Sequence, residues 1–355
     1  MPLLARMVAA PLHVEVAPGA IGRLPRLLED RRISNQGHVA VIVGRGLGAE
    51  VEAQLGPDVA TAGLFTVHDD SLDGAIALTR QLQHRIIDVV VAIGGGRTLD
   101  VAKFAAGRLG LPMIAVATSL AHDGLASPVS VLRVDDDRVS HGVPTPLGVV
   151  VDLTMVQRSP RALVASGVGD LLSNLSAIAD WETAHAARGE AIDGVASMLA
   201  RTSAEAVLHR RDDPMGLPFL ACLANALILS GTAMAVAGSS RPCSGACHEI
   251  SHAIDELFPG RATHGQQVGV GMLFASHLRG DAATLSDAAR CLSHHGLPLD
   301  HRALGLSDAE FVKAALHAPD TRPDRYTVLE HLALSEVELA DAVAAFPDAI
   351  AEVVR

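Results

Sequence analysis

Residues 87–93 (IDVVVAI), followed at once by Gly94, Gly95 and Gly96, constrain this chain more than any other stretch. An apolar, valine-rich run of that length, closed by glycines, fits a strand buried on both faces. Such a strand needs helices above and below it. The flanking sequence supplies them: strand patterns fall at residues 12–16, 38–43, 64–67, 111–117 and 148–151. Helical patterns fall at 22–31, from the glycines of 44–48 to Leu55, and at 71–83. This alternation predicts a parallel sheet covered by helices. A hairpin is expected at 129–134 and 138–141, turning through Asp135, Asp136 and Asp137, an acidic triplet that reads as a solvated turn.

Three glycines between a buried strand and a helix allow something to approach the backbone. The helix start at Arg97, Thr98, Leu99 and Asp100 would offer free N–H groups and the positive end of the helix dipole. The triplet matches neither G-x-G-x-x-G nor a Walker loop, so a phosphate cradle and a purely structural tight turn both remain open. After the strand at 111–117 come Thr118, Ser119, Leu120 and Ala121, then Asp123 and Ser127. Small hydroxyls and a carboxylate at a strand's carboxyl end sit where α/β sheets bind ligands.

Beyond residue 152 the pattern turns helical, beginning with 161–188, which predicts an α/β domain over 1–153 and a helical domain over 154–355. The aromatic share is only 3%, so the core must be built from Ala, Val, Leu and Ile. A net charge of -12 argues against nucleic-acid binding through a basic surface. No uninterrupted apolar run of about 18 residues marks a membrane span. The apolar amino-terminus passes directly into a strand pattern, unlike a signal peptide. The expected location is cytoplasmic. The four cysteines, Cys222, Cys243, Cys247 and Cys291, are too few for a disulfide framework in 355 residues and read as small buried thiols.

In the helical half, His248 and His252 stand four apart and His264 follows a Pro259-Gly260 loop. A helical pair plus a later histidine can hold a divalent ion, although 17 histidines in the chain make some clustering expected. His248-Glu249-Ile250-Ser251-His252 also fits H-E-x-x-H, so a metallopeptidase stays as a minor alternative, one with no use for a glycine-rich nucleotide loop. Asp170 follows the glycines 167 and 169. It reads either as an acid in a helix's first turn or as an oxygen ligand that completes an open, catalytic metal site.

Taken together, GGGRTLDVAK, ATSLAHDGLASP, GVGDLLSN, SSRPCSGACHEISH and THGQQVGVG resemble the sn-glycerol-1-phosphate dehydrogenases. These belong with dehydroquinate synthase, glycerol dehydrogenase and the iron-type alcohol dehydrogenases. The resemblance runs in order over residues 38–275 and weakens after about 290. It implies a Rossmann-like amino-terminal domain, an all-α dehydroquinate synthase-like carboxyl-terminal domain, and an active site in the cleft between them. It implies Asp170, His248 and His264 as metal ligands, usually for zinc. His252 and Asp123 would be catalytic and substrate-contacting, with Asp170 also touching substrate. Gly94 to Asp100, Thr118 to Ala121 and Ser127 would contact NAD(H) or NADP(H).

The implied reaction is reduction of dihydroxyacetone phosphate by NAD(P)H, with His252 or a water it holds returning the proton. Arg241 is one candidate for the substrate phosphate, and Arg45, past the second strand, for the 2′-phosphate of NADP. A small phosphorylated hydroxy-ketone or polyol is the expected partner, and a homo-oligomer the expected assembly. Cys247 and Gln266 stand where the family often has Glu, and both are expected beside the metal ligands. An unphosphorylated polyol or a cyclitol synthase reaction is the alternative. The latter is poorly served by two lysines, Lys103 and Lys313.

Overall fold

The computed structural model describes residues 10–56, 59–135 and 137–354. Residues 1–9 of the apolar amino-terminus and Asp136 of the acidic triplet lie outside them. The chain divides into two compact units, Met1–Ser159 and Pro160–Arg355.

The first unit holds a six-stranded sheet built from β1 (His13–Ala17), β2 (Val39–Gly44), β3 (Gly63–Val67), β4 (Val89–Gly94), β5 (Met113–Ala117) and β8 (Gly148–Asp152). The order is β1-β8-β5-β4-β2-β3 and every pairing is parallel. Every residue of β2, β4, β5 and β8 is buried, as their continuous apolar runs require. Helices α1 (Leu24–Leu28), α2 (Gly48–Leu55), α3 (Leu72–Gln83), α4 (Gly96–Leu109) and α5 (Leu153–Arg158) complete the unit. The helix expected at 22–31 is shorter. A 3-10 turn precedes it, and after it the Asp30 carboxylate takes the Arg32 N–H at 2.9 Å and closes a turn.

Strands β6 (Val129–Val134) and β7 (Asp137–Gly142) form a separate antiparallel pair. Asp135 turns between them at φ 54, a left-handed conformation that Asp tolerates. The chain runs outward from β2 to β3, then returns to place β4 on the other side of β2. The strand order therefore reverses between β2 and β4, and the carboxyl ends Gly44 and Gly94 lie at that reversal.

The second unit is all helical. It comprises α6 (Arg161–Arg188), α7 (Gly194–Leu208), α8 (Leu217–Ala237), α9 (Ala246–Leu257), α10 (His264–Arg279), α11 (Ala282–His294), α12 (Asp308–His317), α13 (Val328–Leu332) and α14 (Glu336–Val354). Helix α6 starts after Pro160 and stops at Gly189, which takes the left-handed conformation that ends helices. By length and composition α6 and α8 could cross a membrane. Their most apolar windows are 78% and 61% buried within the protein, as befits core helices.

Glycines set how closely α6, α9 and α10 approach. A Cβ on Gly169 would collide with the Gly265 carbonyl, and one on Gly265 with the Ser166 backbone. A Cβ on Gly271 would lie 2.8 Å from the Cys247 carbonyl oxygen. The Gly265 N–H donates to Ser166 Oγ at 3.1 Å, so the crossing is pinned as well as close. The fully buried Asp180 carboxylate joins further parts of the unit. It accepts from the Ala246 N–H at 2.8 Å and the Val328 N–H at 2.7 Å, and it pairs with Arg279.

Candidate active site

The α6–α10 crossing decides where three polar side chains meet. Asp170 follows Gly169, and His264 precedes Gly265, so backbone contact between the glycines brings the two side chains together. Asp170 Oδ1 lies 3.5 Å from His264 Nε2 and 3.9 Å from His248 Nε2, the latter carried on α9. One ligand atom from each of the three falls within 4.8 Å of the other two. Asp170 is buried, in the interior of a continuous helix and not in its first turn. Gly169 before it serves the crossing, and no turn forms there.

The outward nitrogens of both imidazoles are held from behind. Ser251 Oγ lies 3.3 Å from His264 Nδ1 and donates to Gln267 Oε1 at 2.7 Å, and Gln267 in turn donates to Asp255 at 2.8 Å. Cys247 Sγ faces His248 Nδ1 at 3.3 Å. Burial pushes that thiol up to about 12, so it stays protonated. Gln266, expected beside the ligands, instead caps α10 by accepting from the Thr263 N–H at 2.9 Å. The residue that supports His264 is Ser251, itself held by the neighbour of Gln266, the fully buried Gln267.

Burial holds the His248 imidazole well below its ordinary range, with His264, His252, Arg322 and Arg325 adding to the effect. His252 is pushed down to about 3, mainly by burial and then by Arg322. Both rings are therefore neutral at neutral pH, with lone pairs available. Glu249 of the H-E-x-x-H pattern is turned away. It is fully buried, Oε2 accepts from Thr327 Oγ1 at 3.0 Å, and burial pushes its carboxyl up to about 8. A carboxyl buried behind the helix does not face the three converging donors, which removes the reason for a peptidase reading.

Arg241 is committed elsewhere. It is 5% exposed, binds Glu190 through Nε at 2.9 Å and Nη2 at 3.3 Å, and donates to the Tyr326 carbonyl at 2.8 Å. Arg322 and Arg325 were not singled out from sequence. They lie beyond the motif-bearing stretches, and tertiary structure alone brings them beside His248 and His252.

In the first unit the glycine triplet ends β4 and opens α4. Gly94 pairs with Ala117, Gly95 is the N-cap of α4, and the Thr118 N–H donates to the Gly94 carbonyl at 3.0 Å. A Cβ on Gly94 would lie 2.7 Å from Thr98 Cβ, and one on Gly96 would strike the His122 ring. The first N–H groups of α4, at Gly96, Arg97 and Thr98, precede its first intrahelical bond, Leu99 N–H to Gly95 O at 3.1 Å. The side chains of Leu99 and Leu120 are buried in the core, and Asp100 pairs with Lys103 at 2.9 Å. These three can meet a ligand only through their backbone. The Ser127 hydroxyl is buried and donates to the Val129 carbonyl at 3.4 Å. Thr118, Ser119, Ala121 and Asp123 are partly exposed, and Arg45 is exposed directly after β2.

A parallel sheet with a glycine-ended central strand, followed by a helical unit carrying an Asp-His-His cluster, defines a class. The family described as iron-containing alcohol dehydrogenase matches residues 15–160. Among solved structures, a probable glycerol dehydrogenase from Sinorhizobium meliloti aligns with a TM-score of 0.80 at 20% identity, covering 98% of this chain and 99% of that one. Sulfoacetaldehyde reductase from Bifidobacterium kashiwanohense, in complex with NAD+, aligns with a TM-score of 0.73 at 16% identity, covering 97% and 99%. Among curated proteins, glycerol-1-phosphate dehydrogenase [NAD(P)+] from Methanothermobacter thermautotrophicus is 35% identical, covering 97% of this chain and 99% of that protein. The Staphylothermus marinus protein of the same description is 33% identical, covering 93% and 94%. The chain belongs to the glycerol-1-phosphate dehydrogenase family.

Proposed function

We propose that this protein reduces dihydroxyacetone phosphate to sn-glycerol 1-phosphate, reversibly, with NAD(P)H and a divalent metal ion. The observation that carries the reading is the convergence of Asp170, His248 and His264 in a chain of this family. One carboxylate and two imidazoles suit zinc, and three protein donors leave a coordination position open. The buried groups behind each ring fix its orientation, as metal-ligating histidines require. When bound, the ion supplies a Lewis acid that polarises the ketone carbonyl.

The remaining roles fall to this chain's own side chains. His252, neutral and partly buried, would hold the substrate oxygen or a water through an imidazole N–H and relay a proton there, its other nitrogen taking one up from water as the N–H proton leaves. Asp123 is the proposed second substrate contact, and Asp170 is proposed to serve both substrate and ion. The first unit, through about residue 153, is proposed to bind the dinucleotide. Gly94 to Asp100 would receive the pyrophosphate, with support from Thr118 to Ala121 and Ser127. The tight glycine packing at 94–96 and the reversal of strand order beside it support that placement. The helical unit is proposed to bind metal and substrate. Arg45 is proposed to accept the 2′-phosphate of NADP.

The test is absorbance at the nicotinamide band with zinc-loaded protein, dihydroxyacetone phosphate, and NADH or NADPH in parallel. Oxidation that disappears in His264→Ala supports the reading. Dinucleotide binding without oxidation overturns it in favour of another substrate. Arg45→Ala is expected to raise KM for NADPH and leave KM for NADH in place.

A further inference from the structure

Arg322 and Arg325 flank a short turn in which the Arg325 N–H donates to the Arg322 carbonyl at 2.9 Å. Their guanidinium groups converge on one hydroxyl. Arg322 Nη1 donates to Ser240 Oγ at 3.4 Å and Arg325 Nη2 donates to the same atom at 3.2 Å. Arg325 also donates to the Ser244 carbonyl. Two like charges are thus held at one point, each more than half buried. Among the described residues, no carboxylate forms an ion pair with either of them, whereas Arg241 next door has Glu190. Glu249 lies near both but spends its Oε2 on Thr327.

An arrangement that concentrates positive charge without a counter-charge costs stability unless something binds there. Both guanidinium groups lie near enough to His248 and His252 to act on them through space. The three residues directly after the turn that carries them are all fastened. Tyr326 O accepts from Arg241, Thr327 Oγ1 donates to Glu249, and the Val328 N–H donates to Asp180. The spare N–H groups are therefore fixed in place and not on flexible surface side chains. One guanidinium satisfies a carboxylate; two, with several free donors, match a phosphate monoester, which has three oxygens and close to two charges.

We infer that Arg322 and Arg325, bridged by Ser240, form the seat for the phosphate group of the substrate. The inference rests on the proposed reading of the site as one for a phosphorylated hydroxy-ketone, and it names the side chains that make the phosphate matter.

Inorganic phosphate titrated calorimetrically into the zinc-loaded protein tests the seat without turnover. Arg322→Gln and Arg325→Gln are each expected to weaken phosphate binding about 10- to 100-fold, the range for a hydrogen bond to a charged group. Selectivity for dihydroxyacetone phosphate over dihydroxyacetone should fall by the same factor. Zinc content and circular dichroism report whether a variant has kept its fold. Arg322→Gln is the safer variant, since among the described residues that side chain hydrogen-bonds only to the Ser240 hydroxyl, and Arg325→Lys should recover part of the loss. Phosphate binding that is absent in the wild type, or equal in wild type and variants, overturns the seat. If the variants lose phosphate while the wild type turns over no dihydroxyacetone phosphate, the seat stands and the proposed reaction fails. If turnover is present with KM unmoved in both variants, the reaction stands and the seat falls.

Discussion

Asp180 shows how much one buried carboxylate can hold. Its two oxygens accept from the start of α9, from the start of α13 and from Arg279 of α10. Replacing it by Ala would take the counter-charge from a mostly buried guanidinium and leave two N–H groups unpaired, and is expected to cost about 3–5 kcal/mol. A denaturant midpoint unchanged by Asp180→Ala would refute this. Cys247 makes a second residue-scale case. Burial pushes Cys247 up to about 12 and Cys291 up to about 11, and Cys243 is 3% exposed. The thiolate is the reactive form, so iodoacetamide at neutral pH should label Cys222 and spare the other three in the folded protein. Mass spectrometry of the alkylated peptides reads this directly. Cys247→Ala should leave the fold intact and lower zinc affinity about 10-fold or more by freeing the His248 ring.

At the scale of elements, the crossing of α6 and α10 is where geometry is made. Gly169→Ala puts a methyl into the Gly265 carbonyl and must push the helices apart. Asp170 and His264 would separate with them. The variant should bind zinc far more weakly than wild type while remaining helical, as measured by metal analysis after dialysis. Wild-type zinc content in Gly169→Ala would mean that the crossing does not set the site.

This scale also explains what sequence could and could not tell. The extent of α6, Arg161–Arg188, follows from its apolar period, Pro160 before it and Gly189 after it. The buried strands follow from continuous apolar runs. The glycines at 167 and 169 mislead, because in one dimension glycines before an acid suggest a loop and a helix start. For Gly169 the reason lies on another helix, at Gly265. Arg322, Arg325 and Asp180 are invisible for the same cause: each acts through a partner distant in the chain, and no local pattern marks it. The role of Gln266 misleads in the opposite way. Position beside a proposed ligand histidine suggests support of the metal, while the helix places its side chain on the cap.

For the whole molecule, the two units give separate predictions. Zinc should slow amide exchange in α6, α9 and α10, which carry or support its proposed ligands. A dinucleotide should slow exchange at the end of β4 and the first turn of α4. Exchange measured by mass spectrometry with each ligand alone checks this, and zinc protection confined to Met1–Ser159 would contradict it. The Asp-His-His cluster has one more consequence. Its donors come from three separate helices, so an ion held there is also a cross-link. It would close the long stretch of chain from Asp170 to His248 and the short one from His248 to His264. Cross-links act on the unfolded chain, and the gain grows only slowly with loop length. The metal that serves the chemistry would then also serve as a fastener, and a chelator would loosen the helical unit before it touched the sheet.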